Sequence, residues 1–212
     1  MPATHAQQKA RLKKLIAALR KAHPDARLAL NFSNPLELLV ALILAAQARD
    51  DLVNSVTADL FKKYRTATDW AKLDENDIRR VNFYRNKARA IRAAAQMIAE
   101  KFNGHVPDNL DDLLSLPGVG RKTANILLGN AFGQPAIGVD THVLRLSQRL
   151  GLSRNTDPDK VEAELTQLVP PEHSVAFCHL LQFHGRRYCT AKNPNCTACP
   201  IAKLCPRIGV AR

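Results

Sequence analysis

Apolar residues return along this chain three and four positions apart, the spacing of helices, and nowhere with the alternation of strands. Leu12, Leu15, Ile16 and Leu19 predict a first helix over residues 6–22, stopped by Pro24. After a turn around residues 31–35, an unbroken apolar run over 36–46 is long for a strand and rich in Ala and Leu. It predicts a buried helix with Pro35 near its first turn. Further helices are predicted near residues 51–61, 75–80, 84–102, 109–115, 121–131, 141–150, 159–169 and 174–185. The final stretch, rich in Cys and Pro, has too little apolar mass to hold a shape by burial. The pattern is that of an all-α protein, with its tail organised by something other than a hydrophobic core.

The length of 212 residues suits one sizeable core or two small ones. No apolar run reaches the roughly 18 residues of a membrane span, and the polar stretch over residues 1–14 does not read as a secretory signal. A cytoplasmic location is expected. Charge narrows the partners: 31 Lys and Arg face 19 Asp and Glu, a net +12, which makes a polyanion such as nucleic acid the first candidate.

Cys189, Cys196, Cys199 and Cys205 follow the spacing C-x6-C-x2-C-x5-C. Four thiolates on a short segment can surround one metal centre, and soft sulfur suits zinc or an iron–sulfur cluster. The spacing alone leaves those two open, whereas disulfides are disfavoured in a reducing compartment. Cys178 stands apart beside Phe177 and Leu181 and reads as a buried filler.

The segment from Leu116 through Pro117, Gly118, Val119, Gly120, Arg121, Lys122 and Thr123 is the richest in information. Pro117 and Gly118 end one helix, a tight turn follows, and a new helix starts near Arg121. Its glycines and free N–H groups suit one backbone phosphate. Lys122 in the first helical turn is oddly placed, because the helix's positive end, and any burial, disfavour a second positive charge. An uncharged amine is a nucleophile; the plainer reading is a lysine touching phosphate. Asp140, before Thr141 and His142, reads as an N-cap. That role is compatible with a carboxylate acting beside the amine.

Taken in order, the hairpin with Lys122, the run Val139-Asp140-Thr141-His142 and the four cysteines resemble the endonuclease III family of DNA glycosylases and abasic-site lyases. Asn31-Phe32-Ser33, Ala46-Gln47 before Asp50, and His184-Gly185-Arg186 carry the likeness further, so that it spans nearly the whole chain. The resemblance implies two helical domains with a DNA-binding cleft between them. A six-helix barrel with the helix-hairpin-helix would occupy residues 24–134; residues 1–23 and 135–212 would form the second domain. It implies a [4Fe-4S] cluster on the four cysteines, Lys122 as nucleophile and Asp140 as essential carboxylate. Gln47 and Phe83 would fill the gap left by an extruded nucleotide, and His142 would lie near the DNA backbone or flipped site. Arg49, Asn82 and the hairpin residues join them as expected DNA contacts, as do Arg186 and Lys192 on the basic flank of the cluster. Two departures stand out. Val81-Asn82-Phe83-Tyr84 replaces a loop that resembles Ile-Gly-Leu-Tyr in relatives, so Asn82 stands for a glycine at a turn where left-handed backbone is expected. Arg49 stands where relatives carry Thr.

The implied reaction is excision of oxidised or ring-damaged pyrimidines from duplex DNA through a lysine Schiff base, then cleavage by β-elimination. A monomer associated with the nucleoid is expected. An adenine-specific relative would lack Lys122 and carry a long further domain; a non-catalytic DNA-binding module would not need the lysine and carboxylate together.

Overall fold

The computed structural model describes residues 5–210; the first four positions of the polar N-terminal stretch lie outside them. The described residues form α-helices and short 3-10 turns without a strand, the all-α fold that the periodicity predicts. In chain order the helices are α1 (His5–Ala22), α2 (Pro35–Ala45), α3 (Asp50–Lys63), α4 (Ala67–Trp70) and α5 (Tyr84–Lys101). They continue with α6 (Leu110–Ser115), α7 (Arg121–Ala131), α8 (Thr141–Arg149), α9 (Pro158–Leu168) and α10 (Ser174–Arg187). None of them is long and apolar enough to cross a membrane. Two compact units result: Leu28–Gln134, and Met1–Arg27 with Pro135–Arg212.

In the first of these, α2 packs against α3, α5 and α7. Its start is set locally. Pro35 occupies the first turn, where its missing N–H costs nothing. Asn34 Oδ1 accepts the Glu37 N–H at 2.9 Å, and a Glu37 carboxylate oxygen accepts the Ser33 N–H at 2.6 Å, a reciprocal cap. On α5 the buried positions Ala88, Ile91, Ala95 and Ile98 follow helical spacing. They are joined by Lys87, a residue that hydropathy would leave in solvent.

Two elements here differ from expectation. Residues 75–80 are not an α-helix but a 3-10 turn, Glu75–Ile78, with i→i+3 bonds from Arg79 N–H to Asn76 and from Val81 N–H to Ile78. One turn bearing the exposed Arg79 and Arg80 has too little apolar face to propagate. The short α4 was not expected. It stands on a Thr66–Asp69 capping box and the fully buried Trp70.

In the other unit α1, α8, α9 and α10 bury Leu12, Leu15, Leu19, Val143, Leu165 and Phe177 among themselves. Cys178 belongs to this core, and burial pushes its thiol up to about 12, so it stays protonated and inert, as a filler should. The cysteine-rich tail is anchored by the buried Ile201 and clasped by arginines. Arg11 donates to the carbonyl of Leu150 at 2.8 Å and to that of Leu204 at 3.4 Å.

Candidate active site and cysteine loop

The turn between α6 and α7 is built around one glycine. Leu116 C=O accepts the Val119 N–H at 3.1 Å, with Pro117 second and Gly118, at φ +81°, third, the residue pattern of a type II turn. A Cβ on Gly118 would lie 2.8 Å from Ala90 Cβ. Gly118→Ala is therefore expected to destabilise the protein by about 2 kcal/mol or more, from left-handed strain plus the clash, read as a fall in Tm. Gly120 differs: a Cβ there meets nothing within 4 Å, and as N-cap of α7 it offers no capping side chain. Helix geometry gives the N–H groups at the start of α7 no intrahelical carbonyl. Leu116 and Val119 turn their side chains into the core, so what they can offer a ligand is backbone.

Arg121 and Lys122 are exposed, and Thr123 is half-buried. Protein burial does not strip water from the Lys122 amine; any desolvation has to come from a ligand.

Gln47, Asn82 and Phe83 come together at one edge of the same unit. Asn82 Nδ2 donates to Gln47 C=O at 3.4 Å. Phe83 is 60% exposed, unusual for so large an apolar side chain. The left-handed residue of this loop is Phe83, at φ 58°, not Asn82, where the missing glycine pointed. Gln47 is left-handed too, at φ 54°. Each such non-glycine residue costs roughly 1–2 kcal/mol, strain of the kind that gathers at functional sites. Arg49 pairs with Asp51 at 3.1 Å, both well exposed, so its charge is only loosely engaged.

Asp140 caps α8: one carboxylate oxygen accepts the N–H of His142 at 2.9 Å and of Val143 at 2.7 Å. The bonds hold that oxygen in place at a half-buried position. His142 Nδ1 lies 3.1 Å from Arg145 Nη2. Arginine can only donate, so Nδ1 accepts and the ring proton sits on Nε2. Gly185 makes room for this contact, since a Cβ there would fall 2.6 Å from His142 Nδ1.

The four cysteines form no disulfide with one another and line one cavity with Leu146, Leu150 and Ile201. Arg149 Nη1 donates to Cys189 Sγ at 3.3 Å and to Thr190 C=O at 2.7 Å, and the Arg207 N–H reaches Cys205 Sγ at 3.4 Å. His184 Nε2 lies 3.4 Å from Cys199 Sγ, and its Nδ1 lies 3.1 Å from His23 Nε2. Arg187 Nη1, 3.5 Å from His23 Nδ1, can only donate. One set of tautomers fits: His23 donates to His184, and His184 donates to sulfur. Donors aimed at sulfur suit thiolates bound to iron. Burial pushes the thiols of Cys199 and Cys205 up, so a positive centre is needed to hold them ionised. Among the described residues, no three His, Cys, Asp or Glu side chains gather closely enough for a single ion.

The profile of the HhH-GPD superfamily of base excision DNA repair proteins matches residues 40–171, and that of the iron-sulfur binding domain of endonuclease III matches residues 189–205. Endonuclease III of Synechocystis is 44% identical over 206 residues, 95% of this chain and 94% of the relative. That of Bacillus subtilis is 46% identical, covering 86% of this chain and 85% of the relative. The chain belongs to the endonuclease III family. A solved structure of a trapped endonuclease III–DNA covalent intermediate superposes with a TM-score of 0.88 at 45% identity, covering 94% of this chain and 96% of that one. This endonuclease III-family chain is a base excision repair DNA glycosylase of the DNA N-glycosylase and abasic-site lyase class, with DNA as its partner. Its cysteine loop carries a [4Fe-4S] cluster. Cys205→Ala is expected to drop iron well below four per chain and to lower Tm; full iron retention would contradict the assignment of that ligand.

Exposed Lys192 and Lys203 lie on the loop, and exposed Arg186 near the end of α10. Arg187 pairs with Asp25 at 2.7 Å and lies over the Phe183 ring. The sequence reading missed Arg145, which holds Cys189 C=O with Nε at 3.2 Å and Nη2 at 3.0 Å, tying the Asp140-capped helix to the start of the loop. It also missed Arg149 and the His23–His184 pair. Nothing in local spacing marks the contacts to Cys189 C=O, to Cys189 Sγ and between His23 and His184, which span 40 or more positions.

Proposed function

We propose that this endonuclease III-family enzyme removes oxidised or ring-damaged pyrimidines from duplex DNA through a Schiff base on Lys122, and then cleaves 3′ to the site by β-elimination. The observation that carries the reading is an exposed lysine in the first turn of a helix whose start is open to phosphate. Backbone N–H groups of the hairpin would hold a phosphate beside the lesion without reading sequence.

The target nucleotide leaves the stack before a side chain can reach its sugar. Gln47 and Phe83 take up the space it vacates, the phenyl ring stacking between bases. The uncharged amine of Lys122 attacks C1′ and the damaged base departs. Asp140, one oxygen held by two N–H groups, stabilises positive charge on the sugar and relays protons. Opening of the ring leaves an imine between Lys122 and C1′. The imine acidifies C2′; loss of that proton expels the 3′ phosphate. The reading requires Lys122 and Asp140 to act on one nucleotide. Bound, the cluster holds the loop that presents Lys192 and Lys203 to phosphates.

Duplexes carrying single lesions opposite each of the four bases test the substrate class. Cleavage at oxidised pyrimidines, leaving an unsaturated 3′ aldehyde, is expected. Activity confined to adenine in a mispair would overturn the reading.

A further inference from the structure

Lys87 is a charged residue that is only 6% exposed. Its Nζ donates to Leu44 C=O and Ala46 C=O, each at 2.6 Å. These are carbonyls of the last turn and C-cap of α2, where helix geometry leaves acceptors unpaired and the dipole favours a cation. The next residue is Gln47. At its other end, the Lys87 backbone N–H donates to Phe83 C=O at 3.1 Å and closes the first turn of α5. A single residue therefore holds the peptide before Gln47 with its side chain and the Phe83 turn with its backbone. Asn82 adds a weaker link from the surface, to Gln47 C=O at 3.4 Å.

Both turns are left-handed at non-glycine residues, and such turns persist only when their surroundings over-determine them. Burial pushes the Lys87 amine down from the ordinary lysine range, and the two carbonyls are the acceptors its N–H donors meet there. A methionine at this position would fill the same volume and satisfy neither carbonyl.

We propose that Lys87 is a positioning residue that locks the Gln47 and Phe83 turns to each other, so that both side chains enter the DNA stack in fixed register. The inference rests on the proposed role of Gln47 and Phe83 as gap-fillers. Lys87 itself touches neither sugar nor base. Its loss should slow the steps that need insertion and spare the chemistry on a sugar that is already unstacked.

The test uses the full chain with its cluster, in four forms: wild type, Lys87→Met, Lys87→Gln and Phe83→Ala. Three readouts are taken: single-turnover excision from duplex, cleavage at an abasic site in single-stranded DNA, and fluorescence of 2-aminopurine placed opposite the lesion. Lys87→Met is expected to lose about 10- to 100-fold on duplex, the scale of a small misplacement. Its 2-aminopurine signal should be blunted, and its rate on single strands should stay within about twofold of wild type. Lys87→Gln, which keeps donors, should fall between. Parallel losses on both substrates would mean a merely structural role and overturn the proposal, as would a wild-type duplex rate in Lys87→Met. If Lys87→Met does not fold, Lys87→Gln decides by the same split. Phe83→Ala separates the two levels: if it leaves duplex excision and fluorescence unchanged, the gap-filling reading fails; if it impairs them while Lys87→Met does not, only the positioning role fails.

Discussion

Lys122→Ala is expected to lose lyase activity by about 10⁴-fold or more, the scale on which removing a nucleophile acts in other enzymes, while binding damaged duplex within a few-fold of wild type. The split follows from position. Lys122 is exposed at the start of α7, so trimming it opens no cavity and strands no buried partner. The turn geometry of Gly118 and the N–H groups of Gly120 to Thr123 remain, and phosphate binding with them. Single-turnover cleavage and a gel-shift titration on the same duplex measure the two quantities. A Lys122→Ala variant that still cleaved at a tenth of the wild-type rate would remove the lysine from the chemistry.

Asp140→Asn is expected to slow base removal by about 10²- to 10³-fold, the range seen when one preorganised electrostatic group is lost, with little change in Tm. Asparagine is as good an N-cap as aspartate, so the bonds to the His142 and Val143 N–H groups survive. What disappears is the negative charge. Asp140→Ala removes both and should lower stability by about 1 kcal/mol in addition. Comparing the two variants separates cap from catalyst: equal rates with unequal Tm values are expected. Full activity in Asp140→Asn would leave Asp140 with its capping role alone.

The sequence made the helices legible where one apolar face repeats, as in α1, α5 and α8, and where a cap or proline marks an end, as at Asn34-Pro35. It was silent on α4, whose Thr66–Asp69 box uses the shorter Asp where the usual signature has Glu or Gln. The site divides in the same way. Lys122, Asp140 and the cysteines lie in short local motifs. Lys87, Arg145, Arg149 and His184 act on groups 15 to 44 positions away, mostly backbone carbonyls that carry no sequence signature. The left-handed residue in the Phe83 turn was misplaced by one position for a related reason. A missing glycine suggests where strain should fall, but the N-cap geometry of α5 puts it on Phe83.

The central claim is a covalent bond between the Lys122 amine and C1′ of the damaged nucleotide. Borohydride reduction of the enzyme with lesion-bearing duplex, followed by proteolysis and mass spectrometry, tests it directly. The expected result is one DNA-linked peptide carrying a reduced sugar on Lys122. A linkage at the N-terminal amine or at another lysine, or excision of the base with no trapped peptide, would contradict it.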